Sequence, residues 1–199
     1  KRFKVIHVPG SFQRAIGCNV LHDEARDDSI LTVLDVDMRI QTRYFQRSLI
    51  FASQGKSIYF PIVWSTFDPH NVKRVAKFRG DDYKYLLNVV GSTHGGKWRK
   101  WGAGNYAVSG TDAKLIKLDE NFEGWGGEDT DFLSRAGKQL HVVRANDPHI
   151  VHRWHKKDCS QSTASKKISC MQSLAEYEGS ALSLVLKEEQ EKKKLPVGK

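Results

Sequence analysis

The apolar residues of this 199-residue chain fall into short runs that alternate between extended and helical spacing. Runs of β-branched and aromatic residues predict strands, and apolar residues three or four positions apart predict helices. The predicted strands are 30–34, 57–64, 104–109, 140–144 and 149–154, and the predicted helices are 12–21, 44–51, 111–118, 129–136 and 171–194. Strands that alternate with helices indicate an α/β fold.

Two stretches of this pattern carry local expectations. Pro61 lacks an amide hydrogen, so the strand around it is expected to lie at a sheet edge or to end there. Residues 66–100 are polar, charged and rich in glycine, and they are predicted to be irregular. Irregular stretches of this length are usually functional or mobile. Ser11 and Thr111 are the predicted caps of the helices that follow them.

Residues 121–131 read N-F-E-G-W-G-G-E-D-T-D and place Trp125 between glycines, with acids at Glu128, Asp129 and Asp131. Glycine allows a sharp turn and a close approach to a ligand. Acids in the first turn of a helix are stabilised by the helix dipole. The stretch therefore has two readings that remain open: a glycine turn with an acidic helix start, or a sugar-binding loop with a proton acceptor.

Asp35 and Asp37 follow a predicted buried strand, and His149, His152 and His155 lie within seven residues of each other. Ligands of α/β sheets bind at the carboxyl ends of strands. Carboxylates suit hard cations, and neutral imidazoles suit borderline metals such as Mn²⁺. A polar strand end and surface histidines are the alternatives. Ligation by aspartate together with histidine would favour Mn²⁺ over Mg²⁺.

Residues 97–101, K-W-R-K-W, interleave basic residues with aromatic residues. This composition suits stacking on nucleobases or on the faces of sugar rings. The alternative is that the tryptophans anchor the loop to the core. Arg14, at a predicted helix start, could meet a phosphate or could be an exposed arginine without a partner.

The chain has a net charge of +9 and no apolar run long enough to cross a membrane. The charge favours anionic partners. A nucleic-acid binder is disfavoured because the basic residues are not clustered in one stripe. Residues 187–199 are expected to form a charged, disordered tail. Cys159 and Cys170 bracket a polar loop that a disulfide could close; three free thiols are the alternative.

Several motifs occur together in one order along the chain. They resemble those of the chondroitin N-acetylgalactosaminyltransferases and, more distantly, of the β-1,4-galactosyltransferases. The motifs are F-x-R-A at 12–15, L-D-V-D-M at 34–38, Y-F-P-I at 59–62, K-W-R-K-W-G at 97–102, F-E-G-W-G-G-E-D at 122–129, H-R-W-H at 152–155 and C-M-Q-S at 170–173.

The resemblance implies a single GT-A type glycosyltransferase catalytic domain over residues 1–199, with a mixed central sheet flanked by helices, and an inverting, Mn²⁺-dependent activity. Relatives carry more chain before the F-x-R-A motif, so the domain is expected to lack its first strand or strands. The resemblance also implies roles for nine residues. Asp129 would be the catalytic base; Asp37, His155 and His152 would bind the metal; Phe12, Arg14 and Asp35 would bind the donor; and Trp125 and Glu128 would bind the acceptor.

The implied reaction moves N-acetylgalactosamine from UDP-GalNAc to a glucuronic-acid-ended chondroitin acceptor through a β-1,4 linkage. The implied location is the Golgi lumen, within a type II membrane protein whose anchor is absent from this chain. A hetero-oligomer with other chondroitin synthases is a further expectation. The alternatives are a non-catalytic partner of a chondroitin polymerase, a β-1,4-galactosyltransferase-like enzyme, and a polyanion-binding module, which charge alone would favour.

Overall fold

The computed structural model describes residues 3–10, 12–122 and 126–156. Within these ranges it contains six helices and six strands, and the strands are paired into one sheet. The prediction of an α/β fold with a mixed sheet and flanking helices is therefore confirmed.

The elements alternate along the chain much as the apolar pattern predicts. The helices are α1 (Arg14–Glu24), α2 (Thr42–Phe51), α3 (Pro69–Arg79), α4 (Tyr83–Asn88), α5 (Gly110–Leu115) and α6 (Glu128–Ala136). The strands are β1 (Ile30–Val33), β2 (Met38–Ile40), β3 (Ser57–Thr66), β4 (Gly96–Arg99), β5 (Tyr106–Ser109) and β6 (His141–His152).

The chain divides into two compact units, each built from three segments. Unit 1 comprises Lys1–Asp35, Phe45–Phe60 and Gly102–Arg144, and unit 2 comprises Val36–Tyr44, Pro61–Trp101 and Ala145–Lys199. Strands β3 and β6 and helix α2 contribute residues to both units because the boundaries fall within them.

Unit 1 has the larger apolar core. Strand β1 pairs antiparallel with β5, with Ile30 opposite Ser109, and β5 pairs with β3 where Ala107 lies opposite Tyr59. Aromatic side chains fill the centre: the Tyr106 and Phe132 rings have centroids 4.8 Å apart, and both rings are essentially buried. Burial of such large side chains is the main source of stability for this unit.

Unit 2 contains the second half of β3. There β3 pairs antiparallel with β4, from Val63 opposite Arg99 to Thr66 opposite Gly96. The short strand β2 pairs antiparallel with the end of β6, so that Met38 lies opposite His152. A separate small core joins α3 and α4 through Phe67, Val72, Ala76 and Leu86.

The prediction that residues 66–100 are irregular is wrong, because the segment forms α3, α4 and β4. Helix α3 has ordinary boundary signals: the Asp68 carboxylate accepts from the His70 amide at 2.8 Å, and Gly80 ends the helix with a positive φ of 77°. The polarity of the segment comes from the outward faces of these short helices.

The prediction that Pro61 lies at an edge or at a strand end is also wrong. Strand β3 continues through a buried Pro61 to Thr66. Tyr59 is paired with β5 and the ladder with β4 begins at Val63, so residue 61 lies outside the paired positions of these two ladders.

Helix starts differ in detail from the prediction. Helix α5 is capped by Ser109, whose hydroxyl accepts from the Asp112 amide at 3.1 Å, and not by Thr111. Helix α1 begins at Arg14, after Gln13; Ser11 lies outside the described residues. The strands predicted at 140–144 and 149–154 are one continuous strand, β6.

Several expectations concern residues that the structure does not describe. Cys159 and Cys170, the helix predicted at 171–194 and the tail at 187–199 all lie outside the described ranges. Cys18 is a free, buried thiol in α1, and burial raises its pKa. Among the described residues, no helix is both long and apolar enough to span a membrane.

The buried histidine of α1 makes the stability of the fold depend on pH. His22 is fully buried, with Nε2 2.6 Å from the Tyr106 hydroxyl oxygen. Burial, together with the charge of Lys117, lowers the pKa of His22 to about 4. The unfolded chain retains the ordinary pKa near 6.5, so between these two values the unfolded state binds more protons and stability rises with pH.

We therefore expect the free energy of unfolding to be about 2 kcal/mol lower at pH 5.0 than at pH 7.5 through His22 alone. Urea unfolding at the two pH values measures it. In His22→Gln, this part of the pH dependence should vanish. An unchanged pH dependence in His22→Gln would contradict the assignment.

Candidate functional site

Unit 2 brings together the three residues predicted to bind a metal. The Asp37 Oδ2 atom lies 3.2 Å from His152 Nε2 and 3.0 Å from His155 Nε2. The potential ligand atoms of these three residues all lie within 4.8 Å of one another. His152 is buried, whereas His155 is half exposed. The arrangement can present one carboxylate and two imidazoles to a single ion.

Strand pairing explains why these side chains meet. Asp37 directly precedes β2 and His152 ends β6, and the two strands are paired. The Arg153 amide donates to the Asp37 carbonyl at 3.2 Å. The chain then leaves the strand, and the Trp154 amide donates to the Thr66 hydroxyl at 2.9 Å. This bond fixes the backbone between the two histidines.

The three-residue cluster borders a cavity of about 440 Å³ in unit 2. Asp37 and His155 line it, and so do two cations that the sequence reasoning did not select, Arg39 and Arg153. Arg39 also donates to the Asn88 side-chain oxygen at 3.1 Å. A cavity lined by potential metal ligands and by two arginines has the chemistry to receive an anionic group.

In unit 1, Arg14 is the centre of a second polar cluster. The alternative that Arg14 is an exposed arginine without a partner is therefore wrong. Its Nη2 donates to Asp35 Oδ1 at 3.1 Å and to the Gly104 carbonyl. Its Nη1 lies 3.9 Å from Glu128 Oε1. Burial works against the charge, but the neighbouring acidic groups, Asp35 foremost, outweigh it and raise the pKa of Arg14.

The loop at residues 102–105 connects this cluster to Asp129. The Ala103 amide donates to Asp129 Oδ2 at 3.1 Å, and the Asn105 side chain donates to Asp35 Oδ2 at 3.1 Å. A Cβ on Gly104 would lie 3.2 Å from Arg14 Nη2 and 3.3 Å from Asp35 Oδ2, so a larger residue would press on the ion pair. The sequence reasoning missed this loop, although its G-A-G-N composition was a signal for close backbone approach.

Asp129 lies in the first turn of α6, which begins after two glycines with positive φ, Gly126 at 94° and Gly127 at 97°. Glycine is required at such angles. Arg144, which the sequence reasoning also missed, is electrostatically coupled to Asp129: burial lowers the pKa of Arg144, and the charge of Asp129 opposes that effect. The helix start is confirmed, and the other reading, a sugar-binding loop with a proton acceptor, stays a prediction that is compatible with it.

Glu128 has an unusual setting for a charged residue, since only 5% of its surface is exposed. Within the described part of the chain, its Oε2 and Arg14 Nη1 are buried without a hydrogen bond. Buried polar atoms of this kind are costly for stability, and a ligand that supplies the missing hydrogen bond is one explanation for them. An acceptor-binding role for Glu128 stays a prediction.

The remaining predicted residues are less informative. Phe12 is 77% exposed just before α1, so its donor-binding role stays a prediction, and Trp125 lies outside the described residues. In the K-W-R-K-W motif, Trp98 packs edge-on against the buried Trp64 with centroids 5.3 Å apart, which makes it an anchor. Trp101 is half exposed, with the Lys97 ammonium 4.9 Å from its ring centroid.

Comparison with known proteins decides the family. The model of the chondroitin N-acetylgalactosaminyltransferase family matches residues 1–184. The chain belongs to this family. The resemblance seen in the sequence motifs is thereby confirmed.

Individual relatives agree with the family match. The chain is 27% identical to human chondroitin sulfate synthase 3 over 183 residues, which is 90% of this chain and 20% of that protein. It is 28% identical to human chondroitin sulfate N-acetylgalactosaminyltransferase 2 over 185 residues, covering 89% of this chain and 33% of that protein. The chain thus spans a third or less of these relatives. No solved structure matches it.

The cluster of Asp37, His152 and His155 predicts that the affinity for Mn²⁺ depends on His155. We expect His155→Ala to weaken Mn²⁺ binding at least roughly tenfold, because a ligand atom is removed. Isothermal titration calorimetry with MnCl₂ measures it.

His149→Ala is the matched control, because His149 lies on β6 but its Nδ1 is 3.0 Å from the Gln41 side-chain oxygen and it is not one of the three clustered residues. Equal losses of Mn²⁺ affinity in the two variants would show that His155 is not a ligand.

Proposed function

We propose that this chain contributes an inverting, Mn²⁺-dependent transfer of N-acetylgalactosamine. The donor is UDP-GalNAc, the acceptor is a glucuronic-acid-ended chondroitin or linker saccharide, and the new linkage is β-1,4. The observation that carries the proposal is the cluster of Asp37, His152 and His155, in a chain of this family.

The residues of unit 2 fit a divalent cation. Asp37 Oδ1 is buried and has no hydrogen bond within the described residues, although Oδ2 is close to both histidines. One carboxylate oxygen and two imidazole nitrogens suit Mn²⁺ better than Mg²⁺. When bound, the ion supplies Lewis-acid stabilisation of the charge that develops on the departing diphosphate.

Two arginines support the same assignment. Arg39 and Arg153 line the cavity beside Asp37 and His155. Guanidinium groups form charge-assisted, often bidentate hydrogen bonds with phosphate oxygens. In the proposed reaction they hold the diphosphate of the donor and so favour its departure as UDP.

In unit 1, the proposed donor-binding residues are Arg14, Asp35 and Phe12. Both oxygens of Asp35 are engaged, one by Arg14 and the other by Asn105. A carboxylate held at two points has a fixed orientation, which is what recognition of a sugar hydroxyl requires. The exposed ring of Phe12 offers an apolar face for the donor base.

Asp129 is the proposed catalytic base. Its Oδ2 accepts from the Ala103 amide and its Oδ1 from the Thr130 amide at 2.8 Å, which orients the carboxylate. Asp129 takes the proton of the acceptor hydroxyl as the hydroxyl oxygen bonds to the anomeric carbon. The bond between that carbon and the diphosphate oxygen breaks on the opposite face, and UDP leaves with the electron pair. Trp125 and Glu128 are the proposed acceptor contacts.

Location and assembly follow the same proposal. A protein with this activity would act in the Golgi lumen as part of a type II membrane protein. It would associate with other chondroitin synthases in a hetero-oligomer.

A transfer assay on the purified protein tests the function. UDP-GalNAc, UDP-GlcNAc, UDP-Gal and UDP-GlcA are each offered with glucuronate-ended and N-acetylglucosamine-ended oligosaccharides, with and without Mn²⁺. We expect product only from UDP-GalNAc with the glucuronate-ended acceptor in the presence of Mn²⁺. Binding of the donor without any transfer would favour the non-catalytic partner instead.

The assignment of the base yields a specific prediction. Asp129→Asn should lower kcat at least about 100-fold, because the amide cannot accept the proton. Mn²⁺-dependent UDP binding should persist in that variant.

The matched control is Asp131→Asn, which removes an acid from the same helix turn but one that is paired with Arg135 at 2.7 Å. If Asp129→Asn turns over at the rate of Asp131→Asn, the base lies elsewhere.

A further inference from the structure

The positive charge of the chain is concentrated in one of its two units. Among the described residues of unit 1, ten are lysine or arginine and eleven are aspartate or glutamate. Among those of unit 2, twelve are lysine or arginine and only five are aspartate or glutamate. Attraction for polyanions therefore arises from unit 2.

Helix α3 carries a large share of that charge. It contains Lys73, Arg74, Lys77 and Arg79 and no acidic residue. Arg79 pairs with Asp81 at 3.2 Å, and the Lys73 ammonium lies 5.8 Å from the centroid of the Tyr83 ring. Lys73, Arg74 and Lys77 are exposed and are spaced one and four positions apart, which places them along one face of the helix.

The opposite face of α3 is buried, which fixes the position of the cationic stripe formed by Lys73, Arg74 and Lys77. Val72, Val75 and Ala76 are buried, and Val72 and Ala76 belong to the small core shared with α4. The helix is closed by the Asp68 cap and by Gly80. A packed and capped helix presents its exposed side chains from fixed positions, so a ligand need not order the backbone first.

We propose that the outward face of α3, defined by Lys73, Arg74 and Lys77, is a docking surface for the polyanionic acceptor chain at sugars away from its reacting end. The inference rests on the proposed function, which supplies a linear acceptor with repeated carboxylates. A single-stranded nucleic acid fits less well, because such ligands stack their nucleobases on open aromatic rings. The ring beside this stripe, Tyr83, is already faced by the Lys73 ammonium, 5.8 Å from its centroid.

This surface was not identified from the sequence, because residues 66–100 were predicted to be irregular. The spacing of the three cations puts them on one face only if residues 69–79 form a helix. From the sequence, basic residues were not expected to cluster in one stripe, but on α3 three of them share one face.

The test uses a fluorescently labelled, unsulfated chondroitin polymer and fluorescence anisotropy at several salt concentrations. In Lys73→Gln/Arg74→Gln/Lys77→Gln, we expect affinity to fall roughly tenfold at 0.1 M salt and the salt dependence to become shallower. In the transfer assay, KM should rise far more for a long acceptor than for a tetrasaccharide.

The matched control is Lys4→Gln/Lys56→Gln/Lys138→Gln, which removes the same charge from exposed positions of unit 1 and should bind the polymer like the wild type. Circular dichroism melting checks that both triple variants are folded. Equal losses of affinity in the two variants would overturn the assignment of α3 as the docking surface, because net charge alone would then explain the binding of the polymer.

The same anisotropy experiment with a single-stranded RNA of equal charge tests the partner. RNA binding as tight as chondroitin binding, and equally dependent on α3, would overturn the acceptor assignment. Polymer binding that depends on α3, in a protein without any transfer activity, would contradict the proposed function but leave the surface intact.

Discussion

The pairing of β2 with the last residues of β6 is the constraint on which the candidate metal site depends. Met38 lies opposite His152, so the residue before β2 and the end of β6 are brought to the same place. The Arg153 amide donates to the Asp37 carbonyl, and the Trp154 amide to the Thr66 hydroxyl. A one-residue slip in this short ladder would move the side chain at 152 to the other face and separate the ligands.

In unit 1, a different physical principle operates: charged groups are held in place by burial and by backbone contacts. The loop at 102–105 contacts Arg144, Asp129, Arg14 and Asp35 in turn, through backbone or side-chain groups. Burying Arg14 and Glu128 with incomplete hydrogen bonding costs stability. Such a cost is expected where a site is arranged for ligands, and the aromatic core around Tyr106 and Phe132 offsets it.

The sequence was informative where chemistry and local spacing coincide. The strand before Asp35 and the helix after Gly127 were expected from residue types and order, whereas the grouping of Asp37 with His152 and His155 was expected from the family resemblance. Residues 66–100 were misjudged because cations on the exposed face of α3 hid the buried Val72, Val75 and Ala76 at helical spacing. Arg39, Arg144 and Arg153 could not be selected, because their places at the candidate sites arise from contacts between segments far apart in the chain. The 102–105 loop carried a glycine signal, but the residues it contacts, among them Arg14 and Asp129, lie elsewhere in the sequence.

The central claim is that Asp37, His152 and His155 bind one divalent cation. Pulsed electron paramagnetic resonance of the protein with one equivalent of Mn²⁺ tests it most directly, because nitrogen ligands couple to the electron spin. We expect nitrogen couplings from two imidazoles in the wild type and from one imidazole in His155→Ala. A bound Mn²⁺ that shows only oxygen ligands, or a spectrum identical in wild type and His155→Ala, would contradict it.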